Sequence, residues 1–138
     1  MPSIVAYHER HFHGVTRLWQ EAFPNDPPWN AAETAIPAKL KVQPDLFLVA
    51  VEEEVVVGSI MAGYDGHRGW LYAVAVGQAH RRQGLGTALV RQAENLLIAR
   101  GCKKINLQVR SGNIAIVTFY GSLGYGIEER VSMGKRIP

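Results

Sequence analysis

Arg81 and Arg82 run through Gln83 into Gly84-Leu85-Gly86, and an apolar-periodic segment begins at once. Just upstream, residues 70–76 (WLYAVAV) read as a strand. A strand, a basic glycine-rich turn and a helix together make an anion site. Glycine lets a backbone come close to a ligand. The start of a helix offers unpaired N–H groups and the positive end of the dipole. A doubly charged pyrophosphate needs several N–H donors and cations at once, and this turn supplies both. Taken alone, Gly-x-Gly fits a tight turn with solvated arginines equally well.

Two phosphate-binding patterns fail at specific positions. A P-loop requires Lys-Ser/Thr after its last glycine, but Thr87-Ala88 follows Gly86. A dinucleotide fingerprint needs glycine or alanine where Leu89 stands. It also wants an acid ending the next strand, where Lys103 and Lys104 lie instead.

The elements that must hold this turn can be read from periodicity. Residues 3–7 form a short strand. Phe12, Val15, Leu18, Trp19, Ala22 and Phe23 recur at three and four within an amphipathic helix over 8–23. PNDPPWN (24–30), with three prolines, stops it. Asn30 and Glu33 have capping-box spacing for a second helix, which Pro37 should kink or split. Strands follow at 46–53 and 55–64, then an Asp-Gly hairpin at 65–69 and the strand at 70–76. The helix after the glycine turn places Leu85, Ala88, Leu89, Ala93, Leu96 and Leu97 on one face, with Gly101 as its C′ residue. A strand over 104–110, a short helix from Asn113 through Leu123, and one or two closing strands in 125–137 complete the chain. The order β-α-α-β-β-β-α-β-α-β, with an optional further strand, predicts an α/β (α+β mixed sheet) fold, a central mixed sheet with helices on both faces.

Composition bounds the function. A chain of 138 residues, 47% apolar and 20% charged, suits one globular domain, 1–138. The net charge of +3 comes without a block of like charges, which argues against nucleic-acid or membrane partners. Cys102 is the lone cysteine, which leaves no intrachain disulfide and no multi-cysteine zinc site. His8, His11 and His13 lack a matching carboxylate pattern, so no metal is assigned. No apolar run or leader pattern stands out, so the expected location is cytoplasmic.

The turn RRQGLG resembles the Arg/Gln-x-x-Gly-x-Gly/Ala signature of the GNAT superfamily of acetyl-CoA-dependent N-acetyltransferases. Ala75-Val76 falls where that family ends its fourth strand. NIAIVTFYGSLGY (113–125) resembles its second signature, an Asn opening a helix that closes with Phe-Tyr-x-x-Leu-Gly-Tyr/Phe. The order of elements is similar to the family fold along nearly the whole chain, and PWN and YDGHRG resemble a subgroup of small bacterial members. The resemblance implies that acetyl-CoA is the co-substrate. Pantetheine would add along the backbone of Val74, Ala75 and Val76. The N–H groups of Gln83, Gly84, Leu85, Gly86 and Thr87, with the side chains of Arg81 and Arg82, would cradle the pyrophosphate. Tyr120 would be the acid that protonates the leaving thiolate, and a strand-four N–H near Val74 the oxyanion donor. Asn113 is expected to cap its helix and to touch the cofactor. Tyr120 also fits as a core aromatic of an amphipathic helix.

Many family members carry a glutamate early in strand four as the base. Arg68-Gly69-Trp70-Leu71-Tyr72 has no carboxylate there. An alkyl ammonium has a pKa near 10, so something must take its proton. Asp65, His67 or a water chain are the open choices, although Asp65-Gly66 also reads as a plain turn and His67 as a surface residue. Trp29, Tyr64, Asp65, His67 and Trp70 are the acceptor-side candidates, since aromatic faces and a carboxylate suit a cationic amine. The expected partner is a small-molecule or peptide amine, and a homodimer is an arrangement open to the chain. A CoA-binding regulator without turnover and a small basic nucleic-acid module are the competing readings.

Overall fold

The computed structural model describes residues 1–138. The chain falls into two compact units, Met1–Leu107 and Gln108–Pro138. The first holds a five-stranded mixed sheet in the order β1-β2-β3-β4-β5. Its strands are β1 (Ser3–Ala6), β2 (Phe47–Glu52), β3 (Val55–Tyr64), β4 (Gly69–Val76) and β5 (Ile105–Asn106). Neighbours are antiparallel except β4 and β5, which run parallel.

Helices cover both faces. The stripe Val15, Leu18 and Trp19 of α1 (Phe12–Ala22) is buried with Ile36 of α2 (Ala32–Lys39) on Phe47, Val49 and Met61. These side chains carry the hydrophobic stabilisation of that layer, at about 25 cal/mol per Å² removed from water. On the other face α3 (Leu85–Ala99) comes so close that Gly58 and Gly69 have no room for a side chain. A Cβ at Gly58 would lie 3.0 Å from Leu89, and one at Gly69 would lie 3.1 Å from Leu97 and 2.8 Å from Cys102 Sγ, just past the helix end. α3 ends in a Schellman motif, with Gly101 at φ +90°, its N–H on Ile98 O and the Cys102 N–H on Leu97 O.

Three expectations need correction. Asn30 does not cap α2: Pro27 and Pro28 draw residues 28–30 into a 3₁₀ turn, and the Asn30 side chain bonds Asp26. Ala31 takes the N-cap place without a side-chain cap. Pro37 does not split α2, which runs through it and ends two residues later at Lys39. A helix this short loses only the one hydrogen bond that Pro37 cannot donate.

The last correction concerns the chain end. β5 spans two residues instead of seven, and 125–137 forms no strand. There the Arg130 N–H turns back onto Glu128 O, and Gly126 and Gly134 weaken strand formation further. In the second unit the regular element is α4 (Ile114–Ser122).

Gly69→Ala should therefore destabilise the protein by about 1–3 kcal/mol through overpacking. Thermal melting checks this, and Cys102→Ala in the same chain should restore part of the loss. A melting midpoint unchanged by Gly69→Ala would mean that α3 sits farther from β4 than described.

Candidate functional site

β4 carries several of the candidate residues, Trp70 and Val74–Val76 among them. It pairs with β5 only at Gly69 and Trp70, so residues 71–76 have no strand partner on that side. A row of backbone N–H and C=O groups is left along this edge, ready to pair with an extended ligand. Val74, Ala75 and Val76 all lie in this stretch of β4.

The other edge of β4 is distorted. Ser59 pairs with Ala75 and Met61 with Tyr72, so Ala73 and Val74 together face Ile60. This is a β-bulge. Ala73 adopts a left-handed φ of 50°, which is costly for a residue with a Cβ. The fully buried Ser59 donates its hydroxyl to Ala73 O at 2.9 Å and accepts the Trp19 indole N–H at 2.9 Å.

Past β4 the chain makes a 3₁₀ turn at Gln78–His80 and then the glycine turn. Arg82 has φ 63° and Gly84 has φ 81°. Two left-handed residues this close coil the backbone so that successive N–H groups converge. The first bond of the α3 ladder runs from the Ala88 N–H to Gly84 O, so the N–H groups of Leu85, Gly86 and Thr87 precede it. No side chain caps this helix start. Arg81, Arg82 and Gln83 are exposed around it. The Arg81 Nε–H anchors to Val76 O and the Gln83 amide reaches Ala79 O. The turn thus has the donors and the cations that a pyrophosphate requires.

The second unit carries the other signature. Asn113 caps α4, its Oδ1 accepting the Ile116 N–H. Gly124, at φ +100°, ends the helix in a second Schellman motif, with its N–H on Gly121 O and the Tyr125 N–H on Tyr120 O. That closure sets the Tyr125 ring edge-on to Tyr120, at 5.7 Å, while Phe119 lies at 5.0 Å. The Leu-Gly-Tyr ending therefore has a physical role: it fixes Tyr120. Tyr120 is buried, and desolvation pushes its phenol up to about 12. Such a group stays protonated at neutral pH and can serve as an acid.

The structure sorts the remaining candidates. Tyr64, Asp65 and His67 share the β3–β4 turn, where the Tyr64 hydroxyl donates to Gly66 O. Asp65 Oδ1 accepts the N–H groups of His67 and Arg68 at 2.8 and 2.7 Å, and those bonds hold its pKa below the usual carboxylate value. Asp65 is thus a turn-former with little basicity to offer. Trp70 stacks on Tyr72, ring centroids 6.4 Å apart, and Tyr72 is 52% exposed. Trp29 is 46% exposed on the 3₁₀ turn Pro28–Asn30. A cavity of about 360 Å³ opens beside that turn, lined by Trp19, Phe23, Asp26, Asn30 and Glu33 among others, without Trp29. No group of three or more His, Cys, Asp or Glu converges, and no helix is long and apolar enough to cross a membrane.

Reading the sequence missed Ser59, Ala73 and Tyr72. Ser59 left a signal, a lone hydroxyl within VVVGSIMAGY. Ala73 left none, because its left-handed backbone comes from strand pairing and not from residue type.

The model of the acetyltransferase (GNAT) family matches residues 12–125. An acetyltransferase of Sodalis glossinidius is 46% identical over 127 residues, covering 91% of this chain and 89% of its own. One from Pectobacterium atrosepticum is 42% identical over 135 residues, covering 98% and 95%. Among solved structures, the aminoglycoside N-acetyltransferase AAC(6')-Iy in complex with CoA superposes with a TM-score of 0.79 at 17% identity, covering 99% of this chain and 95% of its own. The ribosomal-protein-S18-alanine N-acetyltransferase of Escherichia coli gives 0.72 at 23% identity, covering 90% and 77%. At those identities the likeness is one of fold.

The raised Tyr120 pKa has a consequence for stability. In the unfolded chain the phenol titrates near 10, so above that pH the folded state binds more protons than the unfolded state. Stability present below pH about 10 should be lost as the pH rises toward about 12. Denaturant unfolding from pH 9 upward measures the loss, and Tyr120→Phe should reduce its slope. An identical slope in that variant would mean that the phenol is not desolvated.

Proposed function

We propose, from the premise that the chain belongs to the GNAT acetyltransferase family and is an acyl-transferring enzyme, that it moves the acetyl group of acetyl-CoA to a primary amine by direct attack in a ternary complex. The observation that carries the reading is the unpaired edge of β4 running into the donor-rich turn at 81–87. Pantetheine amides pair with the Val74 C=O and with Val76 as an added strand would, which leaves the Val74 N–H for the reacting oxygen. The N–H groups of 83–87, with Arg81 and Arg82, hold the pyrophosphate. We read residues 1–138 as one functional acetyl-CoA-binding domain, acting in the cytoplasm and without a metal.

The amine nitrogen attacks the thioester carbon, and the C–S bond breaks as the tetrahedral intermediate collapses. The negative oxygen is held by a β4 N–H at the bulge. The departing thiolate takes the Tyr120 proton. Asp65 is already engaged in its turn, so a water chain or His67 is left to accept the ammonium proton. The acceptor is a small amine, or a peptide amine bearing a nearby acid. Trp70 and Tyr72 offer it aromatic faces, Asp65 a negative charge, and Arg68 opposes a long polycation.

Arg81→Ala and Arg82→Ala should each weaken acetyl-CoA binding about ten- to hundredfold, as expected for one charged hydrogen bond. Calorimetric titration of the folded variants checks this, and wild-type affinity in both would remove the pyrophosphate assignment. With an acceptor found by an amine panel, Tyr120→Phe should keep acetyl-CoA affinity and lower turnover by about 10²–10⁴. Wild-type turnover when chemistry is limiting would rule out the acid role.

A further inference from the structure

We propose that Ser59, buried in β3, is a positioning residue that holds the β4 bulge and aims the Val74 N–H at the reacting oxygen. The proposal rests on the acetyl-transfer reading above. Its structural part is independent of that reading.

The argument begins with proton counting. The Trp19 indole N–H can only donate, and it donates to Ser59 Oγ. A serine hydroxyl has one proton, and with that lone pair occupied the proton goes to Ala73 O at 2.9 Å. Ser59 is fully buried and Trp19 nearly so, which keeps water from competing for either bond. The hydroxyl is therefore fixed in direction, and so is the carbonyl that accepts from it.

The consequence follows from the planar trans peptide. Within the unit joining Ala73 to Val74, the C=O and N–H vectors are opposed. Ala73 C=O points to Ser59 on β3, so the Val74 N–H points away from β3, toward the edge that β5 leaves open. The left-handed φ of Ala73 produces this flip and is unfavourable for alanine. The Ser59 hydrogen bond offsets that cost. Without it, Ala73 relaxes toward ordinary strand geometry and the Val74 N–H turns off the edge.

The test uses the intact protein with two readouts. In the apo protein, Ser59→Ala should slow hydrogen exchange at the Val74 amide by about tenfold or more relative to the rest of β4, as the N–H leaves the open edge and pairs toward β3. In turnover, it should lower kcat by about 10–100-fold with the acetyl-CoA dissociation constant kept, a partial loss of one oxyanion donor. Ser59→Thr, which keeps the hydroxyl, should restore both readouts. Ser59→Cys, close in volume with a weaker donor, should fall between. Val15→Ala, a core truncation in α1, should lower the melting midpoint without the local exchange change. Unchanged Val74 exchange in Ser59→Ala, or a turnover loss matched by Val15→Ala at equal loss of stability, overturns the proposal. A wild-type protein without acetyl transfer to any amine, in which Val74 exchange still responds to Ser59→Ala, contradicts the acetyl-transfer reading and leaves the positioning of the bulge standing.

Discussion

β4 leaves β5 after two residue pairs, and the cofactor binding proposed above depends on that separation. A continuous ladder would satisfy every backbone group of residues 71–76 and leave nothing for a ligand. The separation must be held by structure on the far side of β4. There the strand makes its full set of pairs with β3, apart from the bulge at Ala73. Close approach of α3 at Gly58 and Gly69 presses the sheet from one face, and Trp19 reaches Ser59 from the other. The open edge therefore sits on a rigid support, as a binding strand must if it is not to close on itself.

The two signatures work through backbone conformation more than through side-chain identity. In RRQGLG the decisive feature is a pair of left-handed residues that gathers N–H groups at the start of α3, with the guanidinium groups as added charge. In FYGSLGY it is the glycine that closes α4 and swings Tyr125 onto Tyr120. Burial pushes the Tyr120 phenol up to about 12, while the Asp65 carboxylate is tied into its own turn and held below its usual range.

Much of this could be read from residue types. Helical spacing located α1 and α3, the Asp-Gly pair located the hairpin, and Gly101 and Gly124 marked helix ends at which the structure finds Schellman motifs. Asn113 was recognisable as a cap because a preferred N-cap residue stood before an apolar helix. Residue types failed where the outcome depends on partners distant in sequence. Asn30 had the right spacing for a capping box, but two prolines ahead of it set a competing turn. The bulge at Ala73 is met by the bonds of Ser59 and Trp19, which lie 14 and 40 positions apart from their bonding partners. The sequence of 125–137 predicts one or two closing strands, although the turn at Glu128–Arg130 leaves that stretch without a ladder.

The central claim is that acetyl-CoA lies along the β4 edge with its pyrophosphate on the turn at 81–87. An amide-resolved NMR titration of the protein with CoA tests it most directly. The account predicts that the largest shifts fall on the amides of Val74, Val76 and Gln83 through Thr87. Saturable binding whose shifts bypass both segments, or no binding at millimolar CoA, would contradict it.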